Sequence, residues 1–202
     1  MAGERLDEIQ LEELGFVGDR NVLVVDGRGR VATSRTFPAL LGLKGTLGPD
    51  GQALIDGYSW QSPEALALVR QAVGAGAELV HDEGPERFDI LPLLVATDGS
   101  INAFGYDSRR LRPNIVVGGV NGLEERTWPG KSLCIADVVI GVQDLRGRCV
   151  MTTYDPDTLR QDPRVLKEIV QKFDGKLALN CYVVRGGRLR VDDSVVLRSG
   201  QP

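Results

Sequence analysis

The sequence has little of the side-chain chemistry that most hydrolases and zinc proteins use. Its 202 residues contain one histidine, His81, and three cysteines, Cys134, Cys149 and Cys181. The cysteines are widely spaced and form no Cys-x-x-Cys pair, which excludes a zinc ribbon or a thioredoxin-type motif. The lone histidine disfavours Ser-His and Cys-His catalysis. Free thiols fit a reducing cytoplasm, where we expect the protein to reside.

The sequence also lacks a strong charge excess and long apolar runs. The formal net charge is −4, which gives no basis for attraction to nucleic acid or to an anionic membrane. No run approaches the ~20 apolar residues that span a bilayer, and the charged residues 1–8 lack the apolar core of a signal peptide. We therefore expect neither nucleic acid nor a membrane as a partner.

Short β-branched runs separated by turn residues dominate the chain. Residues 26–29 predict a hairpin with a returning strand at 30–34. Gly186 and Gly187 predict a second hairpin, which joins strands at residues 177–184 and 189–197. Many short strands with such turns indicate a mainly β, barrel-like fold with some α-helix.

Two helices are predicted from their start signals. Ser62-Pro63 and Asp162-Pro163 each combine an N-capping side chain with a proline at the first helical position. Residues 100–108 carry no such pattern, and we expect them to be irregular.

Cys149 and four arginines are the candidate site residues. A guanidinium next to a thiol favours the thiolate, which attacks electrophiles or binds a soft metal. Arginine forks also bind phosphate in a bidentate manner. The four lie next to strand ends at turns, and strand ends that meet at one rim would bring them together: Arg20, Arg35, Arg112 and Arg148. The alternative is that these arginines are solvated charges and that Cys149 is a small buried filler.

At these residues the chain resembles a known family. The runs 110–117 and 148–158, with Glu125, Trp128, Tyr182 and the tail at 189–197, are similar to a MOSC domain, named for the C-terminal part of molybdenum-cofactor sulfurases and present in amidoxime-reducing enzymes. Residues 18–20 and 32–35 resemble an abbreviated form of the N-terminal β-barrel region that precedes MOSC. The resemblance predicts an N-terminal β region at 1–60 and a MOSC domain at 61–202.

The resemblance implies a molybdenum cofactor, a pterin dithiolene (molybdopterin) that carries a phosphate. Cys149 stands where the family has its metal-ligating and catalytic cysteine. The residues that match, or in the case of Arg35 loosely match, cofactor-binding positions are Arg20, Arg35, Arg112, Asn114, Arg148 and Tyr182.

Three functions stay open at this point. The first is a molybdenum oxidoreductase that reduces small N-hydroxylated substrates with electrons from a flavin or haem partner, since no motif for either group occurs in this chain. The second is a sulfur carrier or cofactor-delivery protein that holds a persulfide on Cys149. The third is a non-catalytic module that binds an anionic ligand.

Overall fold

The computed structural model describes residues 1–200. The chain divides into two compact units. The first contains residues 1–6, 18–88 and 156–160, and the second contains residues 7–17, 89–155 and the chain from 161 onward. The predicted division after residue 60 stays a prediction.

The elements are named in chain order. The strands are β1 Glu8–Glu12, β2 Gly15–Phe16, β3 Val22–Val25, β4 Gly45–Leu47, β5 Ala53–Ile55, β6 Tyr58–Ser59, β7 Glu78–His81, β8 Leu93–Thr97, β9 Ile115–Val117, β10 Lys131–Ile135, β11 Val138–Gly147, β12 Lys176–Arg185, β13 Gly187–Arg190 and β14 Val195–Ser199. The α-helices are α1 Pro63–Val73, α2 Asp98–Phe104 and α3 Pro163–Phe173.

The first unit contains two small antiparallel sheets and α1. One sheet pairs β3 with β7, and the other has the order β4-β5-β6. Apolar side chains of these strands pack on the inner face of α1, where Ala65 and Val69 are fully buried. His81 ends β7 and stacks on Trp60 with the ring centroids 5.9 Å apart.

A six-stranded sheet of order β14-β10-β11-β12-β8-β9 forms the body of the second unit. Its pairs are antiparallel except β8 with β9, which run parallel. A second sheet of order β13-β1-β2 belongs to the same unit. The main apolar cluster includes Leu133, Ile140, Leu179 and Cys181, all of which are fully buried. Because side chains alternate between the two faces along a strand, these residues of β10, β11 and β12 lie on the same face of the sheet.

Both predicted helix starts are confirmed. The Ser62 side chain accepts the N–H of Ala65 at the start of α1, and the Asp162 side chain accepts the N–H of Arg164 at the start of α3. A stripe of α3 containing Val165, Ile169 and Phe173 is buried against Leu111 and its neighbours.

The prediction that residues 100–108 are irregular is wrong for their first half, which lies in α2. Thr97 and Ser100 form the N-terminal capping box of this helix, with Ser100 in the place that Glu or Gln usually occupies. The Asp98 carboxylate accepts the N–H groups of Gly119 and Val120. These partners lie about twenty residues downstream, so no local pattern reveals them.

The hairpin predicted at residues 26–29 is present but short. The Asp26 N–H donates to the Arg30 carbonyl and the Ala32 N–H to the Val24 carbonyl, and Val25 bridges Val31, while the sheet partner of β3 is the distant β7. The predicted pairing at the C-terminal end is wrong. The tail predicted as one strand at 189–197 breaks at Asp192, which has φ of 69°. As a result β13 pairs with β1, and β14 pairs with β10.

The fold class is confirmed as mainly β with some α. Among residues 1–200, no helix has both the length and the apolar character needed to cross a bilayer.

Candidate functional site

The Cys149 segment begins where β11 ends. The Arg148 N–H donates to the carbonyl oxygen of Gly175 at 2.9 Å, which carries the pairing with β12 one residue beyond the strand. Cys149 is extended and partly exposed, and it occupies the N-cap position of the 3-10 turn Val150–Thr153. The strand end therefore presents the thiol at a turn and not in the apolar interior.

Arg148 carries an incompletely paired guanidinium group. Its Nη2 donates to the carbonyl oxygen of Leu111 at 2.7 Å. Its Nε and Nη1 are buried and have no hydrogen-bond partner within residues 1–200. A buried donor without an acceptor costs roughly 1–3 kcal/mol, and more when it is charged. Buried donors without an acceptor are rare in folded proteins, and a bound anion is one way of satisfying them.

Neighbouring arginines also disfavour the charged form of Arg148. Burial, with Arg146 and Arg112 adding like-charge repulsion, lowers the pKa of Arg148 to about 10. Cys149 acts in the opposite direction, because a thiolate beside the guanidinium favours its protonated form. An anion placed between these guanidinium groups would relieve both the burial of the charge and the repulsion.

Arg112 is exposed and adopts φ of 56°, in the left-handed region that residues other than glycine, asparagine and aspartate seldom occupy. Asn114 follows it and pairs twice with Leu94 of β8: its N–H donates to the Leu94 carbonyl, and its Oδ1 accepts the Leu94 N–H, both at 2.8 Å. Asn114 thus starts β9 at the edge of the sheet and fixes the position of the Arg112 turn.

Arg146 was missed in the sequence analysis and lies beside the same cluster. It donates through Nη1 to Oδ1 of Asn180 at 3.2 Å and through Nη2 to Asp89 at 2.9 Å. Asn180 in turn donates to Asp144 at 2.6 Å. Because side chains alternate along a strand, the spacing of two between Arg146 and Arg148 was the signal that could have placed both on one face.

The two threonines of the motif are structural. Thr152 and Thr153 are each 1% exposed. The Thr152 hydroxyl donates to the carbonyl of Cys149 at 2.9 Å, and the Thr153 hydroxyl donates to the carbonyl of Val150 at 2.6 Å. These bonds fold the turn that follows the thiol.

Tyr182 lies on β12 directly opposite Gly141 of β11. A Cβ atom at Gly141 would overlap the Tyr182 ring, so the missing side chain is what lets the ring lie flat across the strand. Tyr182 is half-buried on the same face of β12 as Asn180. Its predicted cofactor contact stays a prediction.

The other two cysteines have different environments. Cys181 is fully buried in the main core, as expected for a structural residue, and burial raises the pKa of its thiol to about 12. Cys134 is only partly buried, on the face of β10 opposite Leu133 and Ile135. In the described part of the chain, no group of three or more His, Cys, Asp or Glu side chains is arranged to hold a metal ion.

Arg20 and Arg35 belong to the first unit and are exposed there. Arg20 has φ of 57°, almost the value of Arg112. Its guanidinium lies 5.5 Å from the ring centroid of Phe88 and 3.8 Å from Asp19. Cofactor contacts of Arg20 and Arg35 stay predictions.

Within the second unit, Arg112, Arg146 and Cys149 lie close enough to Arg148 to affect its pKa. The predicted meeting of all four arginines at one rim stays a prediction. Comparison of the sequence with known families identifies the family of the chain. The family model described as the MOSC domain matches residues 97–196, and the MOSC N-terminal beta barrel domain matches residues 1–89. The chain belongs to the MOSC family.

Curated relatives of this MOSC protein are similar over a short segment. Mitochondrial amidoxime reducing component 2 from Homo sapiens is 38% identical over 76 residues, which is 35% of this chain and 22% of the relative. The protein of the same name from Macaca fascicularis gives the same identity and coverage. The matched segment thus spans about a fifth of the relatives' length.

A solved structure supports the fold assignment. The YUAD protein from Bacillus subtilis aligns over 98% of this MOSC chain and 88% of its own, with a TM-score of 0.52 and 14% sequence identity. At this identity the likeness concerns the fold alone.

Proposed function

We propose that this MOSC protein binds a molybdenum cofactor and uses it to reduce small N-hydroxylated substrates with electrons from a separate flavin or haem protein. The observation that carries the proposal is Arg148, whose buried Nε and Nη1 have no acceptor within the described residues. The amidoxime reducing relatives, by their name, reduce amidoximes.

The residues of the site fit such a cofactor in charge and in ligand type. The open donors of Arg148, with Arg112 beside them, match an anionic group that accepts hydrogen bonds in a fork. Cys149 supplies a soft sulfur ligand of the kind that suits a thiophilic metal. Arg112, Asn114, Arg148 and Tyr182 would hold the cofactor.

The cofactor would supply the two-electron chemistry, and the protein would supply orientation and electrostatics. Arg148 and Arg112 would neutralise its anionic groups in a partly buried setting, where charge interactions are stronger than in water. The 3-10 turn Val150–Thr153 would hold the Cys149 sulfur at a fixed position.

The proposal is tested on the full chain, expressed in cells that make the cofactor. Molybdenum, released pterin and labile sulfur are measured per protein for the wild type and for Cys149→Ala. We expect about one molybdenum per chain in the wild type and its loss in Cys149→Ala. Benzamidoxime reduction is then assayed with a chemical or protein reductant, and we expect it to follow the molybdenum content.

Other results would contradict the proposal. Labile sulfur on Cys149 without metal would instead identify a sulfur carrier. Phosphate binding that survives Cys149→Ala, with no molybdenum in the wild type, would identify a non-catalytic anion-binding module. Arg185→Gln is the matched control, because Arg185 lies at the far end of β12 and donates to the Asp137 carbonyl.

A further inference from the structure

Arg110 connects two segments of the second unit through a nearly buried side chain, which is 9% exposed. It ends the 3-10 turn Ser108–Arg110. Its Nη1 donates to the carbonyl oxygens of Thr153 at 2.9 Å and Thr152 at 3.5 Å. Its Nη2 donates to Oδ2 of Asp155 at 2.9 Å. One guanidinium thus contacts the end of the 3-10 turn after Cys149, at Thr152 and Thr153, and Asp155 just beyond it.

Arg148 makes the reverse connection. It belongs to the Cys149 segment and donates back to the carbonyl oxygen of Leu111, the residue after Arg110. The segments 110–112 and 148–155 are therefore joined by two guanidinium groups that reach in opposite directions. Arg112 lies two residues after one of these groups, and Cys149 lies one residue after the other.

We propose that Arg110 is a positioning residue that fixes the Cys149 turn relative to Arg112, so that thiol and guanidinium engage the same ligand. This inference rests on the proposed function, which makes Cys149 a metal ligand. The fork shape of the Arg110 guanidinium allows this set of contacts. Nη1 donates to the carbonyls of Thr152 and Thr153, and Nη2 donates to the carboxylate of Asp155. A lysine ammonium is a single point charge and cannot reach all three in the same way.

Charge alone does not account for the arrangement. Asp155 is 34% exposed, and an ion pair open to water contributes little. The bonds to the carbonyls of Thr152 and Thr153 are made to buried residues, where a hydrogen bond is stronger and its loss leaves a polar group unsatisfied. Arg110 therefore acts mainly through the backbone of the turn.

The test compares Arg110→Gln and Arg110→Lys with the wild type in two measurements. The first is amide hydrogen exchange of peptides covering residues 149–155. The second is molybdenum per chain after expression with the cofactor available. We expect both variants to exchange at least tenfold faster in this segment, with unchanged protection of β10, and to hold at least fivefold less molybdenum.

Two controls separate positioning from general destabilisation. Val138→Ala weakens the far end of the core, where Val138 is fully buried, without touching the turn. Arg185→Gln removes an arginine that braces a different turn. Both should keep wild-type molybdenum content and wild-type exchange at residues 149–155. Asp155→Asn keeps both carbonyl bonds of Arg110 and should accelerate hydrogen exchange at residues 149–155 less than Arg110→Gln does. It replaces the Arg110 variants in the test if these do not fold.

The inference is overturned if Arg110→Lys retains both protection and molybdenum, since charge would then suffice. It is also overturned if Val138→Ala loses as much molybdenum as an Arg110 variant that has the same melting temperature. A wild-type protein without molybdenum would refute the proposed function alone. The exchange measurement would still decide whether Arg110 holds the turn.

Discussion

Arg148 donates one hydrogen bond, from Nη2 to the carbonyl oxygen of Leu111 at 2.7 Å, and keeps two buried donors without an acceptor in the described chain. A guanidinium in this state destabilises the ligand-free protein, because its charge has lost water and gained no counter-ion. The same burial, with the like charges of Arg146 and Arg112, lowers the pKa of Arg148 to about 10. The proposed cofactor site would thus cost stability in the ligand-free protein.

We expect Arg148→Met to stabilise the metal-free protein by about 1–2 kcal/mol, because it removes a poorly paired buried charge and keeps the apolar stem. The lost bond to Leu111 offsets part of the gain. Urea unfolding of the demetallated protein measures this difference. Arg198→Met, on the exposed end of β14, should change stability by less than about 0.5 kcal/mol. A destabilised Arg148→Met would show that the guanidinium is satisfied in solution.

Phosphate should stabilise the metal-free wild type and leave Arg148→Met unaffected. A ligand that binds only the folded state adds about 2.7 kcal/mol at a hundred times its dissociation constant. Melting temperature is followed while phosphate replaces chloride at constant ionic strength, which separates specific binding from screening. Equal shifts in the wild type and in Arg148→Met would mean that phosphate acts elsewhere.

The parts of the fold that sequence predicted are those that local chemistry determines. Ser62 and Asp162 start helices with their own side chains, and Arg148 and Cys149 are neighbours in the chain. The missed parts depend on distant residues. The acceptors of Arg110 lie more than forty residues away, and β3 has its main partner in the distant β7, with a short bridge to the next segment. No period or cap in the sequence encodes such contacts.

Glu125 should make the stability of the protein depend on pH. It is 1% exposed, and burial raises its pKa above the ordinary value despite a hydrogen bond from Thr97 at 3.3 Å. The folded state therefore binds the proton more tightly than the unfolded state. The stability that this proton contributes is complete below the unfolded pKa and is lost as pH rises through the raised folded pKa.

We expect Glu125→Gln to remove that dependence, because the amide cannot ionise. Urea unfolding at pH 4 and at pH 8 should show the wild type losing stability relative to Glu125→Gln at the higher pH. Glu124→Gln is the matched control, since Glu124 is the exposed neighbour on the same turn. If the free energy of unfolding depends on pH in the same way for the wild type and for Glu125→Gln, the buried carboxyl of Glu125 does not ionise in this pH range.

Gly141 and Tyr182 should be energetically coupled, because the ring occupies the space of the missing side chain. We expect Gly141→Ala to destabilise the protein by about 1–3 kcal/mol through this overlap. In a Tyr182→Ala background the same change should be neutral or stabilising, since alanine then fills open space and restricts the unfolded chain. A double-mutant cycle measured by urea unfolding gives the coupling energy.

Gly147→Ala is the control for this cycle, because a Cβ at Gly147 of the same strand meets nothing within 4 Å. Its effect should be the same with and without Tyr182. If Gly141→Ala also displaces the ring without unfolding the protein, molybdenum content should fall with it, since Tyr182 is a predicted cofactor contact. A coupling energy near zero would mean that the ring moves away freely and that Gly141 does not fix its position.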